Sequence, residues 1–329
     1  MWSELSDPAS FSGPDTAAAH AVATRALESL KPRGATERLD ELAVWLAGWQ
    51  RTIEPAVRSP VVLIFAGDHG VTAEGVSAYP ASVTASMVEA LRSGLATASV
   101  MARDVGARVD VVDVGVGKPT GNIRREPALS PADFECALET GRSAVLDASD
   151  SDVLVIGEVG IGNTTAAAAV SLGLFGGDAA DWVGPGTGLD RDGLARKRQV
   201  VETAVARRAE SGPWATLRDL GGWELAAAAG AVMEARRQSL PVLLDGFVVT
   251  AAAMPLEVAL PGFLDHCWPA HVSPEPGHRR LVARLGRRPI LDLGMRLGEG
   301  TGAIAALPVL SLAARSVVDV ATFREAGLE

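Results

Sequence analysis

The chain has 329 residues, 48% of them hydrophobic, and a net charge of −10. That much apolar sequence buries a large core, either as one big α/β domain or as a large and a small one. The acidic balance excludes nucleic acid as the main partner, because a phosphate backbone needs a basic face, but it leaves room for a local anion pocket.

In chain order, Asp15 is placed to cap a helix running to about Leu30, and Leu39, Leu42, Leu46 and Trp49 recur at helical spacing just after it. Short β-branched runs then follow at 60–68, 108–115, 152–158, 241–246 and 289–294, each closing near Gly or Asp. Near-continuous apolar strands of this kind suit a parallel sheet buried on both faces. Helical patterns lie between and after them at 81–103, 133–147, 163–175, 190–209, 223–238 and 276–286, and the end of the chain, 302–326, is helical too. This alternation predicts a doubly wound, mainly parallel, Rossmann-like α/β domain over 55–300. Residues 1–54 and 301–329 are expected to pack on it as a small helical domain.

The opening MWSELSDPAS carries acids and lacks a basic, then apolar, leader. The apolar runs 164–177 and 300–314 fall short of the roughly 20 residues a membrane span needs. Cys136 and Cys267 form no CxxC pair, so two reduced thiols in a cytoplasmic chain are expected. The histidines show no metal-ligand spacing. Lysine occurs only at 31, 118 and 197, which leaves few candidates for a phosphate-binding Lys.

Three Gly-rich turns recur, GIGNTT (160–165), GPGTGLD (184–190) and GEGTGA (298–303). Such a turn opening a helix can present N–H groups to an anion, or can simply be a tight turn. GEVGIGNT (157–164) misses a P-loop by one residue, because Asn163 stands where a Lys must neutralise phosphate charge; this argues against an NTPase or kinase. Asp68 and His69 end a strand, an address that fits either a ligand crevice or a local hydrogen bond. Ser273 can donate to a phosphate or cap the helix that begins near Pro276; alone, the cap is the simpler reading. Glu299 is a carboxylate between two glycines in the apolar run LDLGMRLGEGTGA (291–303).

The motifs FAGDHGV (65–71), GVSAYPASVT (75–84), GEVGIGNTTAAAA (157–169), GTGLD and LARK (186–197), LLDGFVVTAAA (243–253), HVSPEPGH (271–278) and LDLGMRLGEGTGA (291–303) together resemble the nicotinate-nucleotide:dimethylbenzimidazole phosphoribosyltransferase family. The resemblance implies transfer of ribose 5-phosphate from nicotinate mononucleotide to 5,6-dimethylbenzimidazole, giving α-ribazole 5′-phosphate and nicotinate. It implies no cofactor, no metal and a homodimer. It also implies that Glu299 is the general base, with a buried Glu satisfied by helix N–H groups as the competing reading. Burial raises a carboxylate's proton affinity, which suits a base.

By the same resemblance Glu158 lies near the ribose. Gly160, Asn163, Gly186, Lys197 and Ser273 belong to the phosphate and ribose turns. Ser77, Tyr79, Ser86, Val159 and Leu297 belong to the acceptor pocket. Three positions depart from the family pattern: Val159 stands where many members have Met, Ser86 where many have Gln, and Pro185 where Arg is common. The alternative is a non-catalytic homologue that binds nicotinate nucleotide or an azole.

Overall fold

The computed structural model describes residue 11 and residues 13–328; the N-terminal stretch read above for a leader lies outside them. The first described helix, α1 (Thr16–Glu28), starts where Asp15 accepts the Ala17 and Ala18 N–H groups, as its sequence predicts. Helix α2 (Glu37–Gln50) buries Leu42, Leu46 and Trp49.

Five parallel strands follow: β1 (Pro60–Gly67), β2 (Arg108–Gly115), β3 (Val153–Val159), β4 (Val242–Leu244) and β5 (Cys267–Pro269), in the spatial order β2-β1-β3-β4-β5. Strands β1 and β3 are buried at every residue. Their side chains alternate between two cores. Val61, Leu63, Phe65, Leu154 and Ile156 face one, and Val62, Ile64, Val153 and Val155 face the other.

Helices α3 (Val83–Arg92) and α4 (Thr97–Asp104) link β1 to β2 on the second face, joined there by α2. The opposite face carries α5 (Pro131–Asp147), α6 (Asn163–Phe175), α7 (Arg191–Ala206), α8 (Pro213–Leu220), α9 (Trp223–Arg237) and α10 (Phe247–Ala259). Helices α5 and α9 meet backbone to backbone: a Cβ at Gly141 would strike the Ala227 carbonyl, and one at Gly230 the Leu138 carbonyl. The chain closes with α11 (Pro276–Leu285) and α12 (Thr301–Val318). From β1 the connections run first to one side and then to the other. The crevice outside the carboxyl ends of β1 and β3 is therefore the place where such sheets bind ligands.

Three expectations need correction. PILDLG (289–294) is not a strand. Ile290 and Leu291 donate to the Pro269 and Ala270 carbonyls, and only Leu291 forms a parallel bridge, to His271. Asp292, Leu293 and Gly294 are exposed, so this segment skirts the sheet edge. The fifth strand is instead the three-residue CWP, too short and Pro-ended to register as a pattern. The predicted helix 81–103 breaks at Gly94, which turns left-handed (φ 75). The final helix stops at Val318, where Arg25 Nε caps the Val317 carbonyl at 2.9 Å, and Thr322 then bridges back to Ser29.

Among the described residues α12 alone is long and apolar enough, by length and composition, to cross a membrane. Here Ala303, Ile304, Ala306, Leu307 and Leu310 pack against the sheet's second face, while Val317 meets Val22, Ala26, Ala43 and Ala47 of the terminal helices. Helices α2 and α12 thus join the core on the sheet's second face, and α1 packs with them in a separate small cluster.

Candidate active site

Strand β3 delivers Glu158 to the crevice, and the turn Gly160–Gly162 then starts α6. Gly162 takes φ 97, a value glycine adopts freely. The turn that carries Glu299 lies against it. Gly298, Glu299 and Gly300 all have positive φ (83, 59 and 78), so Glu299 holds a left-handed conformation costly for a side-chain-bearing residue, about 1 kcal/mol or more. The Glu299 N–H donates to the Glu158 carbonyl at 3.0 Å. A Cβ on Gly298 would lie 2.7 Å from Glu158 Oε1, and one on Gly157 would strike Gly300 N. The motifs 157–164 and 298–303, far apart in sequence, therefore interlock through glycines.

A cavity of about 390 Å³ opens between them. Its walls include Glu158, Val159, Gly160, Asn163, Gly186, Ser273, Leu297, Glu299 and Tyr79, nine of the twelve residues anticipated from sequence. Glu299 is 3% exposed and forms no side-chain hydrogen bond or ion pair among the described residues; its Oε2 is buried without a partner. Burial, with the Asp245 charge adding to it, pushes its carboxyl up to about 7. Glu158 is pushed well above the ordinary carboxylate range, by burial first and then by Glu224 and Asp245, against a lowering hydrogen bond from Asn163 Nδ2. One carboxyl is thus poised near neutrality, and its neighbour is shifted the same way by burial and by nearby acids.

Another part of the wall suits an anion. Helices α6 and α10 begin at Gly162 and Gly246 with no side-chain cap, and Asn163, Thr164, Phe247 and Val248 of their first turns line the cavity. Lys197 sits just behind this wall. Its Nζ donates to Thr164 Oγ1 at 2.8 Å and to the Gly184 carbonyl at 3.2 Å, and burial pulls it down to about 8 although Glu275 opposes that. Ser273 is fixed by His278: the Ser273 N–H donates to His278 Nδ1 at 3.0 Å, and the hydroxyl lies 3.0 Å from the same nitrogen. Burial, followed by His271, drives His278 down to about 3, so its imidazole is neutral and Nδ1 can accept.

Two acceptor-side residues lie outside the walls. Ser77 stands at the rim, accepting the Tyr79 N–H at 3.2 Å, with Thr187 Oγ1 of the wall 3.5 Å away. Ser86 is exposed on α3, and its neighbour Met87 reaches the cavity instead. Asp68 and His69 do not line it. Asp68 Oδ2 accepts the Gly117 N–H at 2.8 Å. His69 Nε2 lies 2.6 Å from Glu224 Oε1, and both of those side chains are fully buried.

Sequence reasoning missed Asp245, His271, Glu275 and Arg296. Glu275 Oε1 accepts the Gly186 N–H at 3.0 Å, and Arg296 donates to the Gly186 carbonyl at 3.2 Å, so together they hold the 184–188 turn. Asp245 follows strand β4 just as Asp68 follows β1, the same signal that drew attention to Asp68.

A phosphoribosyltransferase family model matches residues 11–328. The chain is 50% identical over 320 residues to the nicotinate-nucleotide--dimethylbenzimidazole phosphoribosyltransferase of Rhizobium meliloti (strain 1021), covering 96% of this chain and 93% of that one. It is 47% identical over 317 residues to the enzyme of the same name from Cereibacter sphaeroides (strain ATCC 17025 / ATH 2.4.3), with the same coverage of each chain. The crystal structure of CobT from Thermus thermophilus superposes with a TM-score of 0.91 at 41% identity, covering 95% of this chain and 99% of that one. The chain belongs to the nicotinate-nucleotide:dimethylbenzimidazole phosphoribosyltransferase family.

Proposed function

We propose that this chain moves ribose 5-phosphate from nicotinate mononucleotide to 5,6-dimethylbenzimidazole, with inversion at C1′. The lone pair of one benzimidazole nitrogen forms the new bond to C1′. The C1′–pyridinium bond breaks, and its electron pair leaves with nicotinate. The N–H proton of the other benzimidazole nitrogen passes to Glu299. Nicotinate departs with a neutral ring, so the step needs no strong acid.

The observation that carries this reading is Glu299 itself: a buried carboxyl without a side-chain partner, in a cavity wall, with a proton affinity near neutrality. Glu158, whose proton affinity burial and the nearby Glu224 and Asp245 raise, lies near the ribose with its Oε2 held by Asn163 Nδ2. The α6 and α10 N-termini, Ser273 and the Lys197 charge behind Thr164 and Gly186 receive the 5′-phosphate. Val159, Tyr79, Met87 and Leu297 flank the flat acceptor, with Ser77 and Ser86 contributing from outside the wall. The described residues within 1–54 and 301–329 form a small helical domain in this reading, and the working unit is a homodimer, which light scattering after gel filtration tests.

The deciding experiment is turnover of nicotinate mononucleotide with 5,6-dimethylbenzimidazole, without added metal, by wild type and Glu299→Gln. Wild type makes α-ribazole 5′-phosphate, and the variant is slower by roughly 10² or more, the range for a lost general base. A wild type that binds the nucleotide yet makes no product with any azole tried sinks the reading in favour of a non-catalytic binder.

A further inference from the structure

A helix N-terminus is a poor place for a base. Its unpaired N–H groups and the positive end of its dipole favour an ionised carboxylate and depress its proton affinity. Glu299 immediately precedes Gly300, the N-cap residue of α12. By position alone it should be a weak base, yet its carboxyl is pushed up to about 7.

The α12 donors go elsewhere. The Gly300 N–H donates to Asp245 Oδ2 at 3.2 Å, and the Ala303 N–H to Asp245 Oδ1 at 3.0 Å. The Thr301 N–H returns to the Gly298 carbonyl at 3.0 Å. Asp245 is 1% exposed and arrives from the end of β4, so the cap is a tertiary contact and not a local one. Glu299 receives none of these N–H groups.

We propose that Asp245 is a positioning residue for the reaction: it takes up the donors of α12 and pins the left-handed turn, so that Glu299 stays without an N–H partner and serves as the base. This rests on the reading of Glu299 given above. The charged or titratable groups around that turn come from four directions. Asp245 follows β4, and Glu158 lies on β3. His271 follows β5 with Nε2 3.5 Å from Asp245 Oδ1, and Arg296 shares the cavity wall. His271 is engaged with Asp245, and Arg296 with the Gly186 carbonyl.

The first test needs no variant at Asp245. A carbon-13 carboxyl titration of the wild-type protein, with the Glu299 signal assigned by its loss in Glu299→Gln, should give a midpoint near 7; a midpoint at or below the ordinary 4.5 overturns the proposal. In Asp245→Asn the amide keeps only one acceptor oxygen, so one freed N–H group and the lost charge should lower that midpoint by about one pH unit or more. With nicotinate mononucleotide and 5,6-dimethylbenzimidazole, the acid limb of kcat/KM should move down by the same amount. At about pH 7.5 kcat should fall roughly tenfold while both KM values stay within about threefold. A folded Asp245→Asn whose Glu299 midpoint is unchanged overturns the proposal, because a purely structural cap would not move it. If wild type makes no product but the titration shifts as stated, the proposed reaction fails while the hold of Asp245 on Glu299 stands.

Discussion

Two buried carboxylates lie near the carboxyl ends of the central strands; each leaves its Oε2 without a partner, and among the described residues only one of the two has a side-chain partner for Oε1. Glu224, at the start of α9, has its Oε1 2.6 Å from His69 Nε2 and is walled by Gly67 and Gly160, where any Cβ would come within 2.9 Å of its oxygens. Glu299, at the start of α12, has no side-chain partner among the described residues, faces a cavity and sits in a left-handed turn. Both follow a glycine-rich approach to a helix. A buried acid given a partner and close walls serves the fold. A buried acid denied a partner costs stability, and the cost is intelligible only if the group has work to do.

The sharpest way to break this contrast is to remove the partner that Glu224 has. In His69→Ala, Glu224 stays buried with no group to meet its Oε1, and the fold should lose about 3 kcal/mol. The loss is read as a lowered urea midpoint at neutral pH with an unchanged slope. A variant within about 0.5 kcal/mol of wild type, the scale of an ordinary surface change, would put His69 outside the structural framework and reopen its place at a ligand crevice.

The reverse holds for Glu299, where removing the acid should not weaken the fold. Its folded-state carboxyl lies near 7 against an ordinary 4.5. The stability associated with its protonated form is fully present below 4.5 and is lost as pH rises through 7. Glu299→Gln carries no such charge, so wild type should match the variant near pH 4.5 and become the less stable of the two by about pH 8. The gap should reach about 2 kcal/mol, allowing for solvent that reaches the carboxylate through the cavity. Thermal melts of both proteins across that range test it. A wild type that gains on the variant as pH rises would mean that Glu299 has an ion-pair partner in solution.

Much of this was legible in the chain, for reasons that can be located. Helix α6 spans 163–175, matching its pattern to the residue, because Gly162 permits the abrupt start and NTTAAAA leaves no other periodicity. The cavity walls were legible where they lie on long Gly-rich motifs, since Gly157, Gly160 and Gly298 mark backbone approaches too close for a Cβ. Asp245 and Glu275 were not legible. Each acts on a turn distant in sequence, Asp245 on Gly300 and Glu275 on Gly186, and a single chain read in order gives no register between them. The even choice at Asp68 and His69 falls to the local hydrogen bonds, and Asp245, with the same strand-end address, is the one that reaches the site.

The smallest expected effect concerns what the cavity admits. Val159 ends β3, is 7% exposed and forms cavity wall directly after Glu158. The family resemblance offers Met as the common alternative there, which is longer and more adaptable. Val159→Met should take up space beside the acceptor ring without touching the charges that set Glu299. Benzimidazole and its 5,6-dimethyl derivative differ only by two methyl groups, and a methylene-sized change in an apolar pocket is worth about 1–3 kcal/mol. The ratio of kcat/KM for the two acceptors should therefore shift by roughly tenfold toward the smaller one, with the acid limb of the pH profile where wild type has it. A ratio that does not move would put the acceptor against Tyr79, Met87 and Leu297 at the mouth and away from β3. A moved acid limb would mean that Val159 helps desolvate the base, joining the two sides of the cavity that the acids and the apolar wall now divide between them.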